Sequence, residues 1–180
     1  MTTRLFYTTG RIVDPDLPRQ MKEQSDRGLA IIGGSFVEYH LEQLLLARMR
    51  SLSKKRIEYL FEGFGPLAGF AAKIEIAFAL NLIGEKARAD FIAINWIRNK
   101  FAHEISGGEW SFSHPDVVAK CKELNLIHDL GVPLYPGGGK PDLKTPKGQF
   151  TASVYLLSSQ LDGERIANEP TLYAPKFLNR

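Results

Sequence analysis

Asp26-Arg-Gly-Leu-Ala-Ile-Ile-Gly-Gly-Ser-Phe-Val-Glu-Tyr-His-Leu-Glu-Gln-Leu-Leu-Leu-Ala-Arg-Met-Arg50 decides the fold class. Leu29, Ile32, Phe36, His40, Leu44 and Ala47 recur every three to four residues, which is the helical period. A second row, Val37, Leu41, Leu44 and Leu45, widens the apolar stripe. A helix apolar over that much of its surface belongs at the centre of a bundle, not at its edge. Ser25 or Asp26 can cap its start. Gly33-Gly34 costs roughly 1 kcal/mol per glycine relative to alanine, and the expected return is the close approach of another helix, or a kink.

Outward from this helix the chain continues in the same register. An arm at 1–15 precedes a first helix expected near Asp16, with Pro18 in its opening turn. Ser53 can cap a short helix over 54–61. The turn Phe61-Glu-Gly-Phe-Gly-Pro-Leu67 then opens a helix expected from Pro66 to about Ile83, ended by Gly84. Glu85 to His103 reads as another helix. Residues 109–113 read as a short extended piece, and His114-Pro-Asp116 opens a helix to about Leu126. Residues 131–148 hold five glycines and four prolines and read as a long surface loop. Thr145-Pro146 caps a last helix to about Ala167, with Phe150, Val154, Leu157 and Leu161 as its stripe. The expected fold is therefore all-α: a single bundle of about six or seven helices over 16–168, with a tail at 169–180.

Composition narrows the function classes. At 180 residues, 44% hydrophobic and 24% charged, the chain can bury a core without staples. A single cysteine, Cys121, excludes an intrachain disulfide framework and a cysteine-rich zinc module. No apolar run approaches the roughly 20 residues needed to span a bilayer, and the N-terminus lacks a signal-peptide core, so a cytoplasmic address is expected. The net charge of +3 is local. Successive thirds carry +3, −1 and +1, and the excess sits in Arg48, Arg50, Lys54, Lys55 and Arg56. These five are candidate contacts for phosphate or for a partner. Their plainer role is a solvated helix end that favours the negative pole of helix 26–50. They lack interleaved aromatics and a neighbouring helix-turn-helix, so direct specific DNA binding is not expected.

The strongest chemical candidate is Asn95-Trp-Ile-Arg-Asn-Lys-Phe-Ala-His103. On a helix, Asn99 and His103 lie about 40° and 6 Å apart and share a face, whereas Arg98 and His103 differ by about 140°. An arginine holding a phosphate beside a histidine that moves a proton suits phosphodiester cleavage. The alternative is structural: His103 meets the helix's last carbonyls, Asn99 anchors a loop, and Arg98 pairs with an acid. Gly137-Gly-Gly-Lys-Pro141 fails the phosphate-loop pattern, with Leu134 and Pro141 where it needs Gly and Ser/Thr. His40, His103, His114 and His128 lack ligand spacing, so neither a metal nor another cofactor is expected. His40 reads as a hydrogen-bonded core residue and Cys121 as packing.

The order of motifs resembles the mannitol-operon repressor family. The resemblance is carried by Ser25-Asp-Arg-Gly28, Leu41-Glu-Gln-Leu-Leu45, Leu60-Phe-Glu-Gly63, Gly65-Pro-Leu67, Phe70 with Lys73-Ile74, Ala79-Leu-Asn-Leu82 and Ile97-Arg-Asn-Lys-Phe-Ala-His103. Ser111-Phe112 and Gln149-Phe150 also fit, so it spans roughly residues 20–165. It implies an all-helical cytoplasmic repressor of a sugar or sugar-alcohol operon. Such a protein would act through a protein partner, such as a DNA-binding regulator, rather than through its own DNA-binding motif, and a homodimer is expected. Arg98-Asn99-x3-His103 alone also resembles the signature of HEPN domains (higher eukaryotes and prokaryotes nucleotide-binding). That likeness implies a metal-independent endoribonuclease or an RNA- or nucleotide-binding module. In it Arg98 would bind phosphate, His103 assist proton transfer and Asn99 orient them.

Overall fold

A computed structural model describes residues 21, 23–103, 110–129 and 141–167. The expected arm, the helix opening near Asp16, the glycine-rich motif at 137–140 and the C-terminal tail lie outside them. Among the described residues there are seven helices and no strand: α1 (Asp26–Arg48), α2 (Lys54–Phe61), α3 (Phe70–Ala79), α4 (Glu85–His103), α5 (Pro115–Lys122), α6 (Leu126–Asp129) and α7 (Pro146–Ala167). The fold is an all-α bundle.

Local chemistry sets the helix ends. Ser25 caps α1, its Oγ accepting the Gly28 N–H at 3.1 Å. The His114 ring opens α5 by accepting the Asp116 N–H on Nδ1 at 3.3 Å. Thr145 Oγ1 accepts the Gly148 N–H at 3.1 Å and starts α7 at Pro146, where the sequence places its cap.

Three boundaries differ from the sequence reading, each for a local reason. α3 begins at Phe70, not Pro66, because the Leu67 N–H turns back to the Leu60 carbonyl at 2.8 Å and closes the preceding turn. It ends at Ala79, not Ile83, because Asn81 is left-handed at φ 56°. Leu82 and Asn81 then donate to the Ala77 and Phe78 carbonyls, both at 2.9 Å, a Schellman closure that uses asparagine where Gly84 had been expected. The helix expected from 114 to 126 is two. Buried Asp90, from α4, accepts the N–H groups of Asn125 and Leu126 at 2.8 and 3.1 Å and so caps a separate α6. Burial raises the Asp90 carboxyl above its ordinary range, against the pull of those two N–H groups. Residues 110–113 pass through a turn, not an extended piece.

α1 packs against α7, α4 and α3, and α7 also meets α5, α6 and α4. Gly33-Gly34 explains how α1 holds two helices at once. A Cβ on Gly33 would lie 2.9 Å from the Phe150 ring of α7, and one on Gly34 would lie 2.7 Å from Arg98 Cβ of α4. The dipeptide is thus a double close approach. The deepest row of α1 is Val37, Leu41, Leu44 and Leu45. The last helix is buried beyond its expected stripe: every residue from 152 to 158 is buried. α2 is peripheral and buries only Phe61.

Candidate functional site

The candidate residues of α4 divide between its two sides. Arg98 faces inward. Its stem lies on Gly34, and its Nη2 sits 3.5 Å from Glu38 Oε2. Glu38 is half of a carboxylate pair on α1, with Glu42 one turn later. Between them lies Lys73 of α3, 5% exposed in its side chain, with Nζ 2.8 Å from each carboxylate. Four charges from three helices thus neutralise one another in a seam, as burial requires. The sequence reading did not find this cluster. Its signal was a lysine inside the otherwise apolar Phe70-Ala-Ala-Lys-Ile-Glu-Ile-Ala-Phe-Ala79, opposite glutamates spaced i, i+4.

Asn99 and His103 face outward. With Ile92, Asn95, Trp96 and Lys100 they line an open groove of about 420 Å³ along α4. His103 is exposed. One of the helix's last carbonyls, that of Ala102, accepts from the Arg27 guanidinium of α1 at 3.3 Å. The structure therefore brings Asn99 and His103 to one surface, and holds the Arg98 guanidinium behind it, between Glu38 and Asn99. Asn99 joins the two sides. Its Oδ1 accepts from Arg98 Nη1 at 3.3 Å, and its Nδ2 donates to Asn95 Oδ1 at 3.2 Å. A polar chain runs from buried Lys73 through Glu38, Arg98 and Asn99 to the groove.

Beside the groove lies an aromatic and cationic cluster that the sequence reading missed. Trp110 stacks on His114 with centroids 4.0 Å apart and meets Trp96 edge-on at 6.2 Å. The Lys100 ammonium lies 5.5 Å from the Trp96 ring and 5.2 Å from that of Trp110. Lys120 covers Trp96 at 5.6 Å. These contacts hold the ammonium groups in place at the groove's edge. Asp26 secures the neighbouring turn, accepting from the Phe112 N–H and from Lys147, each at 2.9 Å. Burial raises its carboxyl, but those donors outweigh it and hold the group below its ordinary range.

The basic cluster is not one surface. Arg48 is folded onto α7, donating to the Glu164 carbonyl at 2.9 Å. Arg50, Lys54, Lys55 and Arg56 are exposed, with Lys54 3.8 Å from Glu58. His40 is only half-buried. Its ring meets Phe36 and Tyr39 edge-on, and burial lowers its pKa, with Arg165 adding to the effect and Asp162 opposing it. Cys121 is buried, which pushes its thiol up to about 12 and makes it a packing residue. Among the described residues no three His, Cys, Asp or Glu side chains converge as a metal site, and no helix is long and apolar enough to cross a membrane.

No protein-family model matches the sequence, and no curated protein does. Solved structures share the fold. A chain of the MtlR-HPr complex from Escherichia coli superposes with a TM-score of 0.61 at 18% identity, covering 81% of this chain and 94% of that one. A possible transcriptional regulator, YggD from Shigella flexneri, superposes with a TM-score of 0.59 at 14% identity, covering 87% and 99%. The resemblance drawn from the motif order is met at the level of fold.

Proposed function

We propose that this chain is a regulator-like helical module of the cytoplasm, folding as one domain over 16–168 and acting through a protein partner. The observation that carries this reading is the fold shared along nearly the whole length of a chain solved in complex with HPr. The regulated genes would be an operon for sugar or sugar-alcohol uptake, and the working form a homodimer. The test combines affinity capture and mass spectrometry of the full chain with a mobility shift on the upstream DNA of the operon whose transcripts rise on deletion. Capture of a discrete partner, without a DNA shift by the chain alone, is expected. Tight sequence-specific DNA binding by the purified chain alone would overturn it.

A second reading attaches to the groove, where Asn99, Lys100 and His103 offer two donors and a proton carrier to a phosphodiester. An endoribonuclease would also need Arg98, whose guanidinium lies 3.5 Å from Glu38 and 3.3 Å from the groove residue Asn99. Cleavage of mixed RNA in the presence of chelator, lost in His103→Ala, would support this reading. Cleavage that survives the substitution, or none, removes it.

A further inference from the structure

We infer that His114 is a proton-sensitive latch at the edge of the groove: its neutral ring caps α5, and taking up a proton releases that cap and loosens the hold of Trp110 on Lys100. The inference goes beyond both readings above, since it concerns a device of the fold and not the occupant of the groove.

His114 has two jobs in one ring. Standing just before α5, it accepts the Asp116 N–H on Nδ1 at 3.3 Å. Helix caps are ordinarily Ser, Thr, Asp or Asn, whose oxygen remains an acceptor at neutral pH. An imidazole nitrogen accepts only while it is unprotonated. The same ring stacks on Trp110, with centroids 4.0 Å and planes 25° apart. Its side chain is 34% exposed, so solvent protons reach it. Histidine is the side chain suited to change charge between pH 5 and 8. A cap built on it has an off state that a cap built on serine lacks.

The neighbours decide what the proton does. A protonated Nδ1 is a donor and meets the Asp116 N–H donor to donor. Asp116 Oδ2 lies 4.0 Å from that nitrogen, an acceptor for a ring that has turned off the backbone. The turn does not unseat the chain, because the His114 N–H is held separately by the Ser111 carbonyl at 3.0 Å. The imidazolium also stands at the positive end of α5 and against the Lys100 ammonium of α4, which is 5.2 Å from the Trp110 centroid. Two cations then share one indole. Lys100 lines the groove, so the second cation weakens the contact that holds its ammonium at the groove's edge. The other elements at this corner present paired charges. Lys120 of α5 meets Glu123 at 2.8 Å. Asp26 of α1, which accepts the Phe112 N–H, meets Lys147 of α7 at 2.9 Å. His103, three residues on from Lys100, is the other histidine of the groove, and the test separates the two.

The full chain is titrated between pH 5 and 8 as wild type, His114→Asn and His103→Gln. Emission is read in a Trp96→Phe background, which leaves Trp110 as the one indole. Two-dimensional NMR of the chain without that substitution reads the same corner independently. A protonated imidazole in contact with an indole quenches it, so Trp110 emission should fall on acidification. The Asp116 amide should shift with the same midpoint as the His114 ring. The Lys100 ε-methylene should lose its upfield ring-current shift with that midpoint. Protection of the Val118 amide, which donates to the His114 carbonyl at 2.9 Å, should drop about fivefold after correction for intrinsic exchange, the scale of one lost cap. His114→Asn retains a capping oxygen without the proton, so it should melt with wild type at pH 8 and flatten every one of these curves. His103→Gln should leave them in place. A transition that persists in His114→Asn, or one that vanishes in His103→Gln, overturns the assignment. An Asp116 amide that ignores the His114 ring overturns the cap release, and a Lys100 signal unmoved across the titration overturns the link to the groove.

Discussion

Gly34→Ala tests whether the double glycine is there for packing. Two effects oppose each other. Alanine is the better helix former by about 1 kcal/mol. The new methyl, however, would sit 2.7 Å from Arg98 Cβ and 2.8 Å from Arg98 Cγ, where carbon atoms rest at about 3.5–4.0 Å. Arg98 Cβ is fixed to the α4 backbone, so relief requires moving α4 off α1 by roughly 1 Å. Overpacking of this kind costs about 1–3 kcal/mol. The gain and the cost leave a net destabilisation of about 1 kcal/mol. For a chain of this size that lowers Tm by about 2–4 °C, read by circular dichroism and by a urea midpoint at unchanged slope. Gly28→Ala is the control. Its Cβ would meet Gln24 Oε1 at 2.6 Å, but that atom is the free end of a flexible side chain and can swing away. Gly28→Ala should therefore melt at or above wild type. A Gly34→Ala protein that does the same refutes the close-approach reasoning.

Lys73→Met should cost about 3 kcal/mol by leaving Glu42 without its cation and Glu38 with Arg98 alone, and adding Glu42→Gln should recover part of it in a urea double-mutant cycle. His40 is lowered below 6.5 in the folded state, so the folded protein binds its proton less readily than the unfolded chain. Stability is then flat above pH 6.5, falls as pH drops from 6.5 to the lowered value, and is flat again below it. His40→Gln should remove this slope from a pH series of urea midpoints, and an unaltered slope would assign it elsewhere. Cys121 should resist thiol reagents at pH 8 in the native state and react promptly in urea, since burial holds it as a thiol. Fast native labelling would contradict its packing role.

The helices were legible because the apolar spacing follows the helical period, and most of the caps because Ser25 and Thr145 carry the side-chain oxygen that a helix start uses. Arg98 and His103 could be assigned to different sides of α4 from their angular separation alone. What each side meets could not be read, because it depends on which helices cross there. Pairing of Lys73 with Glu38 links residues 35 apart in sequence, and no local pattern encodes that. Asp90 split one expected helix in two for the same reason: its carboxylate reaches Asn125 and Leu126 from another element. Asn81 ended α3 where Gly84 had been expected, since asparagine is the other residue that enters the left-handed region readily. The all-round burial of 152–158 was hidden by serines and a tyrosine interrupting the apolar run.

The packing of α1 on α7 also has a consequence during synthesis. The second helix begins 98 positions after the first ends, at Pro146 after Arg48. At about 5–20 residues per second a ribosome takes roughly 5–20 seconds to cover that distance. For that interval the Gly33 side of α1 lacks the Phe150 and Val154 side chains that cover it in the folded state. The nascent chain must keep an apolar helix soluble while it waits, an opening for a holding chaperone and a reason to translate the middle of the message without pauses.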